Sequence, residues 1–506
     1  MDRSIILFLI LFCLSGLDAY SMPSDFSDGL GLSPAAERRI GDQMARSLYR
    51  DLDYLDDPIV QDYVNSIMAP LLAAARARGE IQPEMDDAYA WHVLLGKNKT
   101  VNAFATPGGY FGLELGLLAV TVSRDELAAV LAHELSHVTQ RHLARMMAQQ
   151  EQQTPWLIGA MILGILAAAK DGQSGSAVVV GGSAAAAQSQ LNFSRDMERE
   201  ADRIGFGVAT QAGYDPEGFV TMFDKLYNAN RLNDSGNFPY LRTHPLSTER
   251  MADMQGRLGV KATATSKTNA AASEDPMLEH TLMAARAKAL SSSGVDAQQL
   301  LVAQANMKAT TNNTSQAAAT AYAAAMGAMQ LRDWPTAQKQ LLQLQSLVAG
   351  KPLSQRQWRY LQAEYLLATN QAAAAWDLLM LDANHRAGMW LRGQAALALQ
   401  NQAQLRQCLI ERRSWLVEHP SDALMWQQQS NMAVATGWTL GAMRAAAESK
   451  AAEMDIAQAL ERMRAAQAWG AKNPATSGDD QIELSIIDSR VRQLQSQLKD
   501  LQSSKM

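Results

Sequence analysis

A chain of 506 residues is long enough for two or three domains, each burying its own core. Its net charge of −6 and pI near 5.8, with Lys and Arg scattered, exclude the basic footprint of a nucleic-acid-binding protein. Aromatics are sparse, at 6%, while Ala, Gln and Met are abundant, which is the balance of a mostly helical protein.

In chain order, Met1 to Ser4 is a short leading region and Ile5 to Leu17 an apolar run that ends before small and polar residues. Residues 1–21 read as a secretory signal peptide cleaved after Ala19 or Ser21, because about 13 apolar residues are short for a bilayer core of about 30 Å. Cys13 follows Leu11 and Phe12, where a lipid-anchoring signal would carry small residues, so no lipid anchor is expected. Cys408 is then the sole cysteine of the mature chain, and no intramolecular disulfide is expected.

From Ser33 to Gly79 apolar residues recur at helical spacing, with start signals at Ser33-Pro34 and again at Asp57-Pro58. Ala88 to Leu95 reads as a strand, in which the lone His92 is structural. Lys97 to Leu118 has strand character interrupted by Pro107-Gly108-Gly109, consistent with a bulge and an edge that could pair with an extended peptide substrate, an ordinary hairpin being the alternative.

Ser123 to Met147, SRDELAAVLAHELSHVTQRHLARMM, reads as a helix opened by a capping box. The Ser123 hydroxyl accepts from a first-turn amide, and the Glu126 carboxylate reaches back to the Ser123 amide. His133 and His137, four residues apart, project from one face about one turn apart and can share a cation, with Glu134 beside them. This is the H-E-x-x-H arrangement, in which two histidines hold Zn²⁺ and the glutamate accepts the proton of the attacking water. His142, nine residues past His133, falls on the opposite face and reads as a surface or second-layer histidine.

Pro155 to Lys170 is apolar but short for a membrane span, and Asp171 to Gln190 is rich in Gly, Ser and Ala. Together they suggest a lid over a cleft, membrane contact being the alternative. Ser194 to Gln211 reads as a second helix packed through Met197, Ala201, Ile204 and Val208. Glu198 and Asp202 flank that stripe, four residues apart, so Glu198 is assigned to the metal and Asp202 to orienting a histidine. Glu200 projects outward and is the runner-up ligand. His244, held extended by Pro245, is suited to point into a cleft, where it could donate to a developing oxyanion or take the fourth metal position and silence the site.

Residues 261–278 shift toward Ala, Ser and Thr and read as a linker. Beyond it, Arg332-Asp333-Trp334 with Ala337, Gly393 with Ala396 and Leu405, Gly437-Trp438 with Gly441, and Asp455-Ile456 with Ala459 are fragments of tetratricopeptide-like repeats. Residues 279–475 are therefore expected to form an α-solenoid that binds protein. Residues 479–502, with Ile486, Val491, Leu494, Leu498 and Leu501 at near-heptad spacing, are expected to cap it.

Four stretches, HELSHVTQRH at 133–142, NAFATPGGYF at 102–111, EREADRIG at 198–205 and RTHPLSTER at 242–250, resemble the periplasmic β-barrel assembly-enhancing proteases, relatives of the HtpX-like and prenyl-protein-processing zinc peptidases. The resemblance covers about residues 30 to 475. It implies a third ligand at the first Glu of an E-x-x-x-D motif, which Glu198 and Asp202 match, and a gluzincin-type peptidase fold. It further implies a Gram-negative periplasmic location, quality control of outer-membrane proteins, and autoinhibition by a plug-like segment and His244. The expected chain is thus mostly α: a signal peptide, an α+β zinc metallopeptidase domain at 30–260, the linker, the repeats and the cap. Its expected cofactor is one Zn²⁺. Its expected partners are misfolded or assembling outer-membrane β-barrel proteins and the barrel assembly machinery, with no nucleic acid and no stable membrane span. A chaperone or adaptor whose protease is normally silent is the alternative.

Overall fold

The computed structural model of the chain describes residues 32–149, 195–232, 238–261, 270–307, 313–473 and 478–503. The stretches read as a signal peptide (1–21) and as a lid (155–190) lie outside the described residues. No helix among them is long and apolar enough to cross a membrane.

Both start signals near the N-terminus open helices. Ser33 Oγ accepts from Ala36 N at 3.2 Å to begin α1 (Pro34–Tyr49), and Asp57 accepts from Ile59 N and Val60 N to begin α2 (Pro58–Ala77). Between them lies β1 (Tyr54–Leu55). A short α3 (Pro83–Ala88) precedes β2 (His92–Gly96), followed by β3 (Ala103–Thr106), a 3₁₀ turn at Pro107–Gly109, and β4 (Tyr110–Glu114). The sheet order is β1-β2-β4-β3, with β2 parallel to β4 and the outer pairs antiparallel, so β3 is an edge strand. Gly108 sits at φ +73°, which lets the turn close. A Cβ on Gly41 would lie 2.0 Å from the Pro107 carbonyl oxygen, so only glycine lets α1 lie against that turn.

After α4 (Leu115–Val120), α5 (Arg124–Thr139) is the central helix, buried from Glu126 to Thr139. Ser123 Oγ accepts from Glu126 N at 3.2 Å as expected, but the Glu126 carboxylate accepts from Val122 N and from Lys225 Nζ, not from the Ser123 amide. The helix read as continuous to Met147 stops at Thr139. Arg141 adopts φ +53°, and α6 (His142–Gln149) starts in a new direction.

Next come α7 (Arg195–Gln211), α8 (Glu217–Leu232), the short α9 (Tyr240–Thr243) and α10 (Thr248–Lys261). Met197, Ala201, Ile204 and Val208 of α7 are all buried. Helical structure resumes inside the stretch read as a linker, in α11 (Ala270–Ser291), and continues through α12 (Val295–Asn306), α13 (Thr314–Gln330), α14 (Trp334–Leu347), α15 (Pro352–Ala368), α16 (Ala372–Leu378), α17 (Arg386–Leu399), α18 (Gln402–Glu418), α19 (Ala423–Ala435), α20 (Thr439–Ala452) and α21 (Ile456–Lys472). The last helix, α22 (Gly478–Ser503), packs on α20 and α21 through Ile487, Val491 and Leu494. Ile486, placed on the apolar seam by heptad spacing, is 37% exposed, and Ile487 takes its place.

One apolar core runs from α2, the sheet and α5 into α11, α13 and the later helices. Polar anchors on or just before α2 join the two halves. Arg286 pairs with Asp57 at 2.6 Å and with Glu364 at 2.7 Å, and Arg386 pairs with Asp56 and Asp422. The Ala387 amide donates to Asp62, and Tyr63 Oη lies 2.6 Å from His280 Nδ1. A cavity of about 420 Å³ remains between the halves, lined in part by Asp62, Tyr63, Arg356, His385, Arg386 and Asp422.

Candidate metal centre

Helix α5 presents His133 and His137 on one face. Their Nε2 atoms are 3.0 Å apart, so both aim at one point. Helix α7 packs across α5, where Gly205 lies against the Ala132 carbonyl and leaves room for close approach. Its first turns carry Glu198 to the same point, with Oε1 3.4 Å from His137 Nε2 and Oε2 3.5 Å from His133 Nε2.

The fourth group arrives from the chain after α9. The His244 amide donates to the Tyr240 carbonyl, its ring stacks on the Tyr240 ring, and Arg250 holds the Pro245 carbonyl at 2.8 Å. Thus fixed, His244 Nδ1 stands 3.3 Å from His133 Nε2 and 3.1 Å from Glu198 Oε1, while Nε2 stands 3.4 Å from Glu134 Oε1. Single donor atoms of His133, His137, Glu198 and His244 all lie within 4.8 Å of one another, and all four residues are buried.

The donor set is three imidazole nitrogens and one carboxylate oxygen, which suits a four-coordinate divalent ion. Glu134 Oε1 is buried and accepts no hydrogen bond among the described residues, leaving an acceptor beside the cluster. The residues fit a metal.

The charges of these groups follow from burial and from one another. Burial raises the Glu198 carboxyl, but the imidazoles of His244, His133 and His137 outweigh it and hold it well below the usual carboxylate range. Burial likewise opposes charge on His133, yet hydrogen bonds to Asp202 and Glu198 raise it to about 9. His137 goes the other way, held well below its ordinary value by burial that Glu198 does not overcome. Asp202 is low because Arg250 and His133 outweigh its burial.

His133, Glu134, His137, Glu198, Asp202 and His244, the six residues singled out from sequence, come together here. Asp202 Oδ1 lies 3.0 Å from His133 Nδ1, on the ring edge away from the cluster. Glu200 does not join the cluster. It pairs with His142 Nε2 at 3.1 Å and with Arg145 at 2.7 Å.

One participant, Arg250, escaped the sequence reading, and another, His142, was placed there only as a surface or second-layer histidine. Arg250 grips Asp202 and Glu198, and its only signal was its place in the RTHPLSTER stretch. His142 is fully buried with Nδ1 2.8 Å from His137 Nδ1, because the break at Arg141 invalidates the rotation that put it on the far face. Burial pushes His142 down to about 4 against the pull of Glu200, so its ring is neutral near pH 7.

Residues 58–258 match the profile of peptidase family M48. They form an M48 domain. The chain is 35% identical over 231 residues to the beta-barrel assembly-enhancing protease of Escherichia coli (strain K12), covering 46% of this chain and 45% of that protein. It is 33% identical over 217 residues to the putative beta-barrel assembly-enhancing protease of Vibrio cholerae, covering 43% of each. It is 26% identical over 239 residues to the mitochondrial metalloendopeptidase OMA1 of Saccharomyces cerevisiae, covering 46% of this chain and 66% of that one. The chain therefore spans under half the length of these bacterial relatives, and the M48 domain holds all four clustered donors.

Proposed function

We propose that this chain is a periplasmic zinc endopeptidase that degrades misassembled outer-membrane β-barrel proteins and, through tetratricopeptide-like repeats at 279–475, assists their assembly. The observation that carries the reading is the convergence of His133, His137 and Glu198 on one point with Glu134 beside it. The bacterial relatives, named for enhancing β-barrel assembly, support the outer-membrane setting, and the apolar N-terminal run supports export.

In this reading His133, His137 and Glu198 hold Zn²⁺, which supplies a Lewis acid that polarises the scissile carbonyl and acidifies the attacking water. Glu134 takes the proton of that water and returns it to the leaving amine. Asp202 holds the His133 ring in register, itself held by Arg250. The edge strand β3 offers backbone groups to an extended client segment. His244, seated as a fourth donor and within reach of Glu134, keeps the site shut.

The test uses the full chain, with zinc content and cleavage of casein or a misfolded barrel compared between wild type and Glu134→Gln. Cleavage is expected to fall by about 10²–10⁴-fold with zinc retained. Equal cleavage by the two proteins would end the mechanism.

A chaperone or adaptor whose protease is normally silent is favoured by one feature, the His244 ring standing among the other donors. Rescue of an outer-membrane assembly defect by Glu134→Gln would support it, and failure of rescue would remove it.

A further inference from the structure

His137 has its own orienting chain, separate from the one serving His133. The cluster-facing atom of His137 is Nε2, which stands 3.0 Å from His133 Nε2 and 3.4 Å from Glu198 Oε1. Its other nitrogen, Nδ1, faces away and lies 2.8 Å from Nδ1 of His142. On the far edge of that second ring, His142 Nε2 lies 3.1 Å from Glu200 Oε2, which Arg145 also holds at 2.7 Å. The two rings meet edge to face, with centroids 4.8 Å apart and planes at 76°.

These contacts allow one proton arrangement when His137 Nε2 is a metal donor. Nε2 must then be unprotonated, so Nδ1 carries the hydrogen and needs an acceptor. His142 Nδ1 accepts it, and the hydrogen on His142 Nε2 goes to the Glu200 carboxylate. The His133 side is built to the same plan, with Nδ1 of the ring on Asp202 and Arg250 behind the carboxylate. Three of the four acids of α7 thus divide the work: Glu198 enters the cluster, Asp202 backs one histidine directly, and Glu200 backs the other through His142.

We propose that His142, anchored by Glu200 and Arg145, is a positioning residue that fixes the tautomer and ring plane of His137 and so tightens divalent metal binding. The inference rests on the metal reading of His133, His137 and Glu198 given above. It assigns His142 no contact with substrate or with reacting atoms. Loss of such an outer partner weakens metal binding by about 10–100-fold in comparable sites.

The test measures zinc affinity of the full-length protein by competition with a chromophoric chelator at pH 7.5, together with the visible absorption bands of the Co²⁺-substituted form. His142→Leu removes the acceptor and is expected to weaken zinc by about 10–100-fold and to shift the cobalt bands. His142→Asn, whose side-chain carbonyl can take the same hydrogen, is expected to recover most of the affinity. Wild-type affinity and spectrum in His142→Leu would overturn the proposal. Equal weakening in Leu and Asn variants would also overturn it, because that pattern means packing and not the hydrogen bond. If His142→Leu fails to fold, Glu200→Leu, which leaves no acceptor for His142 Nε2, decides: weakened zinc upholds the chain, and unchanged zinc overturns it. His137→Leu separates the two readings, since undiminished zinc binding in that variant would remove the metal assignment itself.

Discussion

Arg250 grips both carboxylate oxygens of Asp202, Nε to Oδ2 at 2.6 Å and Nη2 to Oδ1 at 2.8 Å, with both side chains almost wholly buried. Its remaining nitrogen reaches Glu198 at 2.7 Å and the Pro245 carbonyl at 2.8 Å. One guanidinium therefore links a candidate metal ligand, a histidine-orienting acid and the loop that carries His244.

Removing it would strand two buried carboxylates. Arg250→Met is expected to cost about 3–5 kcal/mol of stability, the usual penalty for an unpaired buried charge, and to lower bound zinc. Arg250→Lys keeps the charge but not the planar fork and should fall between. Urea denaturation and metal analysis check both, and a Met variant as stable as wild type would mean that the pairing contributes no net stability.

His244 has one ring nitrogen among the cluster donors and the other 3.4 Å from Glu134. Truncation to alanine would free both positions. His244→Ala is expected to raise basal peptidase activity several-fold with zinc content retained, read by cleavage of an unfolded substrate. Lost activity would assign His244 to the chemistry in place of the closure.

Asp57 serves twice, capping α2 through Ile59 N and Val60 N and neutralising Arg286 of α11. Asp57→Ala should cost about 2–4 kcal/mol, combining a cap worth about 1 kcal/mol with the loss of one of the two carboxylates that hold the buried Arg286 guanidinium, Glu364 remaining. Asp57→Asn keeps the capping oxygen and should be about 1 kcal/mol less damaging. Denaturation midpoints that coincide for the two variants would show that the cap carries no weight.

His280 is buried between Tyr63 Oη and the Thr121 carbonyl, and burial lowers it to about 4. Its unfolded value is about 6.5, so below that pH the unfolded chain takes up a proton that the folded one refuses. Stability from this group is full above pH 6.5 and falls toward pH 4, by roughly 2 kcal/mol between pH 7.5 and 5. His280→Gln, neutral throughout, should reduce the pH dependence of the unfolding free energy by that amount. An unchanged slope would show that His280 does not report the junction of the two halves.

The sequence by itself determined what local rules can decide. Start signals at Ser33, Asp57 and Ser123 act within one turn, and the four-residue spacings of His133 with His137 and of Glu198 with Asp202 put each pair on one face. It also determined the helical character of the C-terminal half, because an Ala-rich composition and repeat fragments such as Arg332-Asp333-Trp334 can be recognised without knowledge of neighbours. The tertiary structure alone decided what depends on chain direction after a break or on packing between distant segments. The left-handed Arg141 turns His142 inward, the crossing of α7 over α5 joins Glu198 to the histidines, and the stacking of His244 on Tyr240 carries its ring into the cluster. A one-residue slip on α22 buries Ile487 in place of Ile486, since only the facing helices decide which side is covered. Periodicity describes a helix relative to itself, and a site made of four segments is fixed by how those segments pack.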